Sequence, residues 1–261
     1  MNSLGLGLGL GLGLGLGLGF WLLASGFWLL ASGFWPLASA SGLYSGVPSA
    51  LSIAFLGFLL GVRHAVDPDH VVAMSTIATR ATSFRRAAGV GAMWGVGHTL
   101  TILLVGGAIV LLRVAISPRV GLAMEFSVAL MLIMLGFQNV LRARGTEAPA
   151  PSSARPFVVG MVHGMAGSAA VVLLVLATVS HTGWALAYLG LFGLGTVLGM
   201  MIVTAAIALP ASLAVNRVKS ARRWLTLASG VASVALGVLL ASELTEGEGG
   251  LFSASPTWTP R

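Results

Sequence analysis

Cysteine is absent from all 261 residues. That excludes disulfides, thiolate metal sites and cysteine nucleophiles. Charge is scarce: 8% of residues are charged and 57% are hydrophobic, where a soluble domain carries about 25% charged residues. A soluble fold of this size has one core to fill and would leave much of that apolar surface in water. No Gly-x4-Gly-Lys segment occurs, so the chain has no phosphate-cradling loop with which to hydrolyse ATP. His-Glu-x-x-His is missing too, which removes the usual general-base signature of a membrane metallohydrolase. No acid appears between Glu147 and Glu243.

What is present is apolar sequence in long runs. Lipid satisfies no backbone polar group, so spanning segments are helices or strands of a closed barrel. Barrel strands are about 10 residues long and alternate apolar with polar. The runs here are about twice that length and apolar on all sides, as membrane helices require. They fall near 50–78, 88–112, 120–141, 157–179, 184–209 and 224–242. The expected fold is all-α: a polytopic membrane helix bundle with six core transmembrane helices, in contact with a lipid bilayer.

Three stretches follow from composition. Residues 1–48 are low-complexity and hydrophobic: a Leu-Gly repeat over 4–19, then Phe-Trp-Leu-Leu-Ala-Ser-Gly from Phe20, again from Phe27, and a decayed copy from Phe34. With no positive charge at Met1-Asn2-Ser3 and an apolar stretch too long for an h-region, this reads as an expendable extra membrane helix rather than a signal peptide. Residues 49–243 form the membrane domain. Residues 244–261, with Glu246 and Glu248, read as a loose polar tail.

The formal net charge is +7, but the basic residues sit in short loops and nowhere interleave with aromatics on which bases could stack, so no nucleic-acid partner is expected. Alternate connections hold Arg80, Arg85 and Arg86; Arg142, Arg144 and Arg155; and Arg217, Lys219, Arg222 and Arg223. The intervening connections hold Arg113 and Arg119 alone. The excess of positive charge predicts that the first set faces the cytoplasm, in a multi-pass protein of the cell (inner or plasma) membrane.

An internal echo runs through the bundle. Gly61-Val-Arg-His64 pairs with Gly160-Met-Val-His163, and Gly95-Val-Gly-His98 with Gly193-Leu-Gly-Thr196. Three helices per repeat would give halves of opposite orientation, as in secondary transporters whose sites lie between inverted halves.

Arg63-His64-Ala65-Val66-Asp67-Pro68-Asp69-His70 carries the chemistry. Each charge at the centre of a span costs about 2.5–3.5 kcal/mol on insertion scales, so ionisable residues there mark ion pathways by default. Pro68 cannot donate to the carbonyl of His64, so the helix should break there and leave that carbonyl free. Two imidazoles and two carboxylates suit a borderline divalent ion such as nickel, cobalt, zinc or copper; calcium or magnesium would want oxygen almost exclusively. Arg63 is expected to neutralise a carboxylate. His98, beside Gly95 and Gly97 in the next helix, is a further candidate ligand. His163 and Ser168 lie in a small-residue segment that allows either close packing or a place on the ion's path. His181 is expected at the surface, Gln138 and Asn139 at the interface, and Met131, Met134, Met200 and Met201 in packing.

His64-x4-Asp69-His70 resembles the signature helix of the nickel/cobalt transporter family, which usually has Ala where Pro68 stands. Gly97-His98-Thr99 resembles the family's second motif. The resemblance covers residues 50–110 best. It implies that His64, Asp69, His70 and His98 form the metal path, supported by Asp67. The family's acidic third motif is replaced here by Val162-His163-Gly-Met-Ala-Gly-Ser168, which looks like the urease-accessory branch. The function implied is membrane transport of nickel or cobalt, with no resident cofactor and with metalloenzyme maturation proteins as candidate partners. Two other readings remain open at this point. One is a membrane protein that binds metal without transporting it, as an accessory or sensor. The other is an acyltransferase using His64-x4-Asp69, although its companion Pro-Glu-Gly motif is missing.

Overall fold

The computed structural model describes residues 50–78, 83–113, 116–145, 154–178, 181–217, 221–246 and 249–258. The N-terminal repeat lies outside them. Among the described residues there are seven helices and no strand: α1 (Ala50–His64), α2 (Pro68–Ala78), α3 (Phe84–Leu112), α4 (Pro118–Ala143), α5 (Arg155–Thr178), α6 (Thr182–Arg217) and α7 (Ala221–Thr245). Four are long and apolar enough to cross a membrane, over Phe84–Leu112, Pro118–Ala143, Thr182–Leu209 and Arg223–Thr245.

Local chemistry sets the helix ends. Ser83 caps α3 by accepting from Arg86 N, satisfying one of the donors that a helix start leaves free. Pro118 opens α4, where its missing N–H costs nothing. Gly145, at φ +90°, follows the end of α4 in the left-handed conformation that favours glycine.

The first apolar run is two helices. α1 stops at His64 and α2 begins at Pro68. Between them the chain makes a tight turn, with Val66 N donating to Arg63 O (3.0 Å) and Asp67 N to His64 O (3.1 Å). The break falls where Pro68 dictates, but the carbonyl of His64 is not free as the sequence suggested; the turn itself satisfies it.

Glycine lets the helices meet backbone to backbone. Gly61 of α1 abuts Phe192 O of α6, and Gly195 of α6 abuts Phe58 O of α1. Gly97 of α3 abuts Phe157 O of α5, and Gly160 of α5 abuts Trp94 O of α3. Gly136 of α4 and Gly230 of α7 each abut the other's carbonyl oxygen. A Cβ at any of these six positions would collide with its neighbour's backbone. Without a hydrophobic drive between helices, such close van der Waals packing is what holds a membrane bundle together.

Polarity is arranged inside out. Leu104, Leu112, Phe137, Leu194 and Leu239 are exposed, while His70, His98, Asn139, His163 and Thr196 are buried. Asn139 is not interfacial: its Nδ2 donates to Thr76 O (2.8 Å) and Ser229 Oγ (3.2 Å), tying α4 to α2 and α7. Met131 and Met200 are buried, as packing residues should be, and Met134 is exposed. Two apolar clusters form the core. One includes Met74, Trp94, Leu132 and Met200; the other includes Ile102, Tyr188, Leu189 and Phe192. His98 lies one turn from Trp94 and one turn from Ile102, between the two.

The tail is not loose over its described residues. Leu251 N donates to Leu244 O (2.8 Å), closing the end of α7. The chain then returns to α4, where Trp258 packs on Gly121 and its Nε1 donates to Glu125 (2.8 Å).

Candidate metal centre

The break between α1 and α2 delivers His64, Asp67, Asp69 and His70 to one place. His64 ends α1, and one turn of chain brings Asp67 back to it, so that Nδ1 of His64 donates to Asp67 Oδ2 at 2.7 Å. That bond puts the proton of a neutral ring on Nδ1 and leaves Nε2 as a lone-pair donor. Nε2 of His64 faces Nε2 of His98 on α3 at 3.2 Å. Two imidazole nitrogens bound to one metal ion at about 2.0–2.1 Å stand roughly 3 Å apart, close to the separation seen here.

His70 lies in the first turn of α2, with its ring centroid 4.5 Å from that of His64 and 5.1 Å from that of His98. Asp69 bridges outward from this group: Oδ1 pairs with His70 Nδ1 at 3.1 Å, and Oδ2 with His163 Nε2 at 2.9 Å. His163 belongs to α5, 94 residues away in sequence, and its ring centroid is 4.1 Å from that of His70. Four imidazoles from three separate parts of the chain thus meet here, two of them (His70 and His163) paired with Asp69 and one (His64) with Asp67. His70, His98 and His163 are buried; Asp67 and Asp69 are partly exposed, at 42% and 32% of their side-chain surface.

Three buried ring nitrogens, His70 Nε2, His98 Nδ1 and His163 Nδ1, have no hydrogen-bond partner among the described residues. An unsatisfied buried polar group costs about 1–3 kcal/mol, and native structures hold few of them. Coordination of a cation is one chemistry that makes such groups worthwhile. His64, His70 and His98 can each offer one ligand atom with all three within 4.8 Å of one another, and so can Asp69, His70 and His163.

The structure therefore brings together His64, Asp67, Asp69, His70, His98 and His163. The side chain of Ser168 lies outside the described residues. Among the described residues Arg63 pairs with no carboxylate: it is exposed, and both aspartates turn to imidazoles instead. His181 is exposed, as expected, and its Nδ1 accepts from Gly183 N at the start of α6 (3.2 Å). Sequence reasoning left His163 undecided between packing and pathway. The signal that pointed to it was its match with His64 in the internal echo.

Among the described residues the fold is all-helical with four helices able to cross a membrane, and it gathers buried imidazoles beside two partly exposed carboxylates, donor types that suit a divalent transition metal. Residues 50–241 match the family model described as High-affinity nickel-transport protein (NicO), and the chain belongs to that family. It is a transporter family, not a family of enzymes, so the acyltransferase reading of His64-x4-Asp69 falls. The chain is 35% identical to urease accessory protein UreH of Bacillus sp. (strain TB-90), over 70% of this chain and 88% of that protein. It is also 28% and 26% identical to the Arabidopsis thaliana chloroplast proteins FOR GROWTH AND FERTILITY 2 and 1, spanning 56% and 58% of their lengths. No solved structure matches it.

Proposed function

We propose that this chain carries nickel ions across the cell membrane as a multi-pass protein. The observation behind this reading is the convergence of His64, Asp69, His70 and His98 at a helix break inside an apolar bundle. Asp67 orients His64, and His163 and Ser168 border the path. An ion crossing about 30 Å of hydrocarbon must exchange its water for other ligands. Imidazole nitrogen and carboxylate oxygen supply them, and the carboxylate offsets the ion's charge where the dielectric is low. Cobalt suits the same donors, so selectivity between the two is a matter for measurement. In this reading α1 and α2 form one broken span and the bundle has six, three in each of two inverted halves.

The relative named a urease accessory protein favours a further step, in which the ion is passed to proteins that mature a metalloenzyme. It equally suits a protein that binds metal without moving it. Nickel flux into vesicles reconstituted with the pure protein separates carrier from binder. In cells, uptake of labelled nickel and cobalt should rise with the protein present. His64→Ala and His70→Ala should each abolish that uptake without loss of membrane insertion, and His181→Ala should leave it intact. Parental uptake by His64→Ala would show the cluster to be no more than a polar turn.

A further inference from the structure

Two three-ligand sets share one residue. His64, His70 and His98 form the first; Asp69, His70 and His163 form the second. They differ in charge: the first is three neutral imidazoles, the second carries the carboxylate of Asp69. A neutral imidazole has a single lone pair, so His70 can serve one ion at a time. His163 is held much as His64 is. The His64 ring packs against Phe192 at 5.4 Å, and the His163 ring against Trp94 at 5.8 Å. These four residues are equivalent in the internal echo: His64 corresponds to His163 at an offset of 99 residues, and Trp94 to Phe192 at an offset of 98. His163 is fully buried, its Nε2 is fixed on Asp69 (2.9 Å), and its Nδ1 has no partner among the described residues.

We propose that His163, with Asp69 and His70, forms a second metal subsite. One divalent ion is handed between this set and the His64, His70, His98 set through His70. The inference rests on the metal-path reading above and adds a stop to it. Sharing one ligand lets the ion change partners while at least one bond is kept, so it is never without protein ligands between stops. The anionic stop holds the charge of a dication, and the neutral stop holds it less firmly; a carrier needs that difference in order to release its cargo.

The test uses the full-length protein, purified and reconstituted. Nickel binding is measured by equilibrium dialysis, with cobalt absorption in the visible range as a second probe of the ligand set and nickel flux as the third readout. The parent should bind one nickel ion. His98→Gln and His163→Gln should each still bind one ion, more weakly by at least the roughly 10–100-fold that losing a mere outer partner costs, with flux down at least about tenfold and cobalt spectra that differ from each other. The double variant should lose stoichiometric binding. Asp69→Asn removes the carboxylate without changing shape and should give the cobalt spectrum of His163→Gln, which keeps the test open if the latter folds poorly. Parental affinity, spectrum and flux in His163→Gln would overturn the second subsite, as would two nickel ions bound at once by the parent. Loss of the underlying reading looks different: the parent would bind no nickel, or His70→Gln would move it as well as the parent.

Discussion

Asp67 shows how one residue can act through another. It sits in the turn between α1 and α2, partly exposed, and accepts from His64 Nδ1 at 2.7 Å. A carboxylate in that position fixes the ring's orientation and tautomer and raises the basicity of the opposite nitrogen. Such outer partners typically change metal affinity by about 10–100-fold when removed. Asp67→Ala should therefore weaken nickel binding within that range while the protein reaches the membrane at normal levels; unchanged affinity in an equilibrium titration would mean the pair is incidental. The string from Arg63 to His70 was legible because so many ionisable groups in an apolar run have no cheap structural explanation. The partners of those groups were not legible. Arg63 looked like the counter-ion by charge alone, yet the turn points it outward and histidines take its place. His163 meets Asp69 from 94 residues away, a juxtaposition that only the packing of α5 creates.

At the level of helices, small residues signalled close approach, and the approach is reciprocal. Gly97 and Gly160 interlock α3 with α5, the helices that carry His98 and His163. Gly160→Val would force the backbones apart, and overpacking of this kind costs about 1–3 kcal/mol. It should lower the unfolding midpoint of the solubilised protein and reduce nickel flux together. Gly89, also in α3, has open space where a Cβ would stand, with no described atom within 4 Å. Gly89→Ala should be neutral or raise stability by about 0.5–1 kcal/mol, since glycine in a helix interior is entropically costly. If Gly160→Val unfolds at the parental temperature, the interlocked crossing does not hold the bundle. Most helix ends were read within a few residues, because apolar runs and basic loops mark them; α6 is the exception, since it continues to Arg217, past the end of the apolar run at 209. Which helices pair was not readable, since every run is apolar on all sides. Asn139 misled for a related reason: nearness to a helix end suggested the interface, whereas the packing of α4 against α7 encloses it.

For the whole molecule, the crossings repeat under exchange of halves. If α1, α3 and α4 correspond to α5, α6 and α7, the α1–α6 crossing at Gly61 and Gly195 becomes the α5–α3 crossing at Gly160 and Gly97. The contact of Gly95 with Val197 becomes that of Gly193 with Thr99, and Gly136 with Gly230 maps onto itself. This is the pattern expected of two related halves meeting about a pseudo-two-fold axis. With three spans in each half, as proposed above, the halves would be inverted, and the basic loops are arranged as that proposal requires, since the turn before α3 is rich in arginine and its counterpart before α6 is not. Equivalent positions should then lie on opposite sides of the membrane. The chain has no cysteine, so single substitutions report cleanly. His181→Cys should react with an impermeant thiol reagent applied to intact cells. Arg85→Cys, in the first turn of α3 beside the equivalent position, and Arg144→Cys should react only after the cells are opened. Parallel halves would put His181 and Arg85 on the same side, so labelling of both from outside would refute the inverted arrangement and its placement of the metal path between two opposed halves.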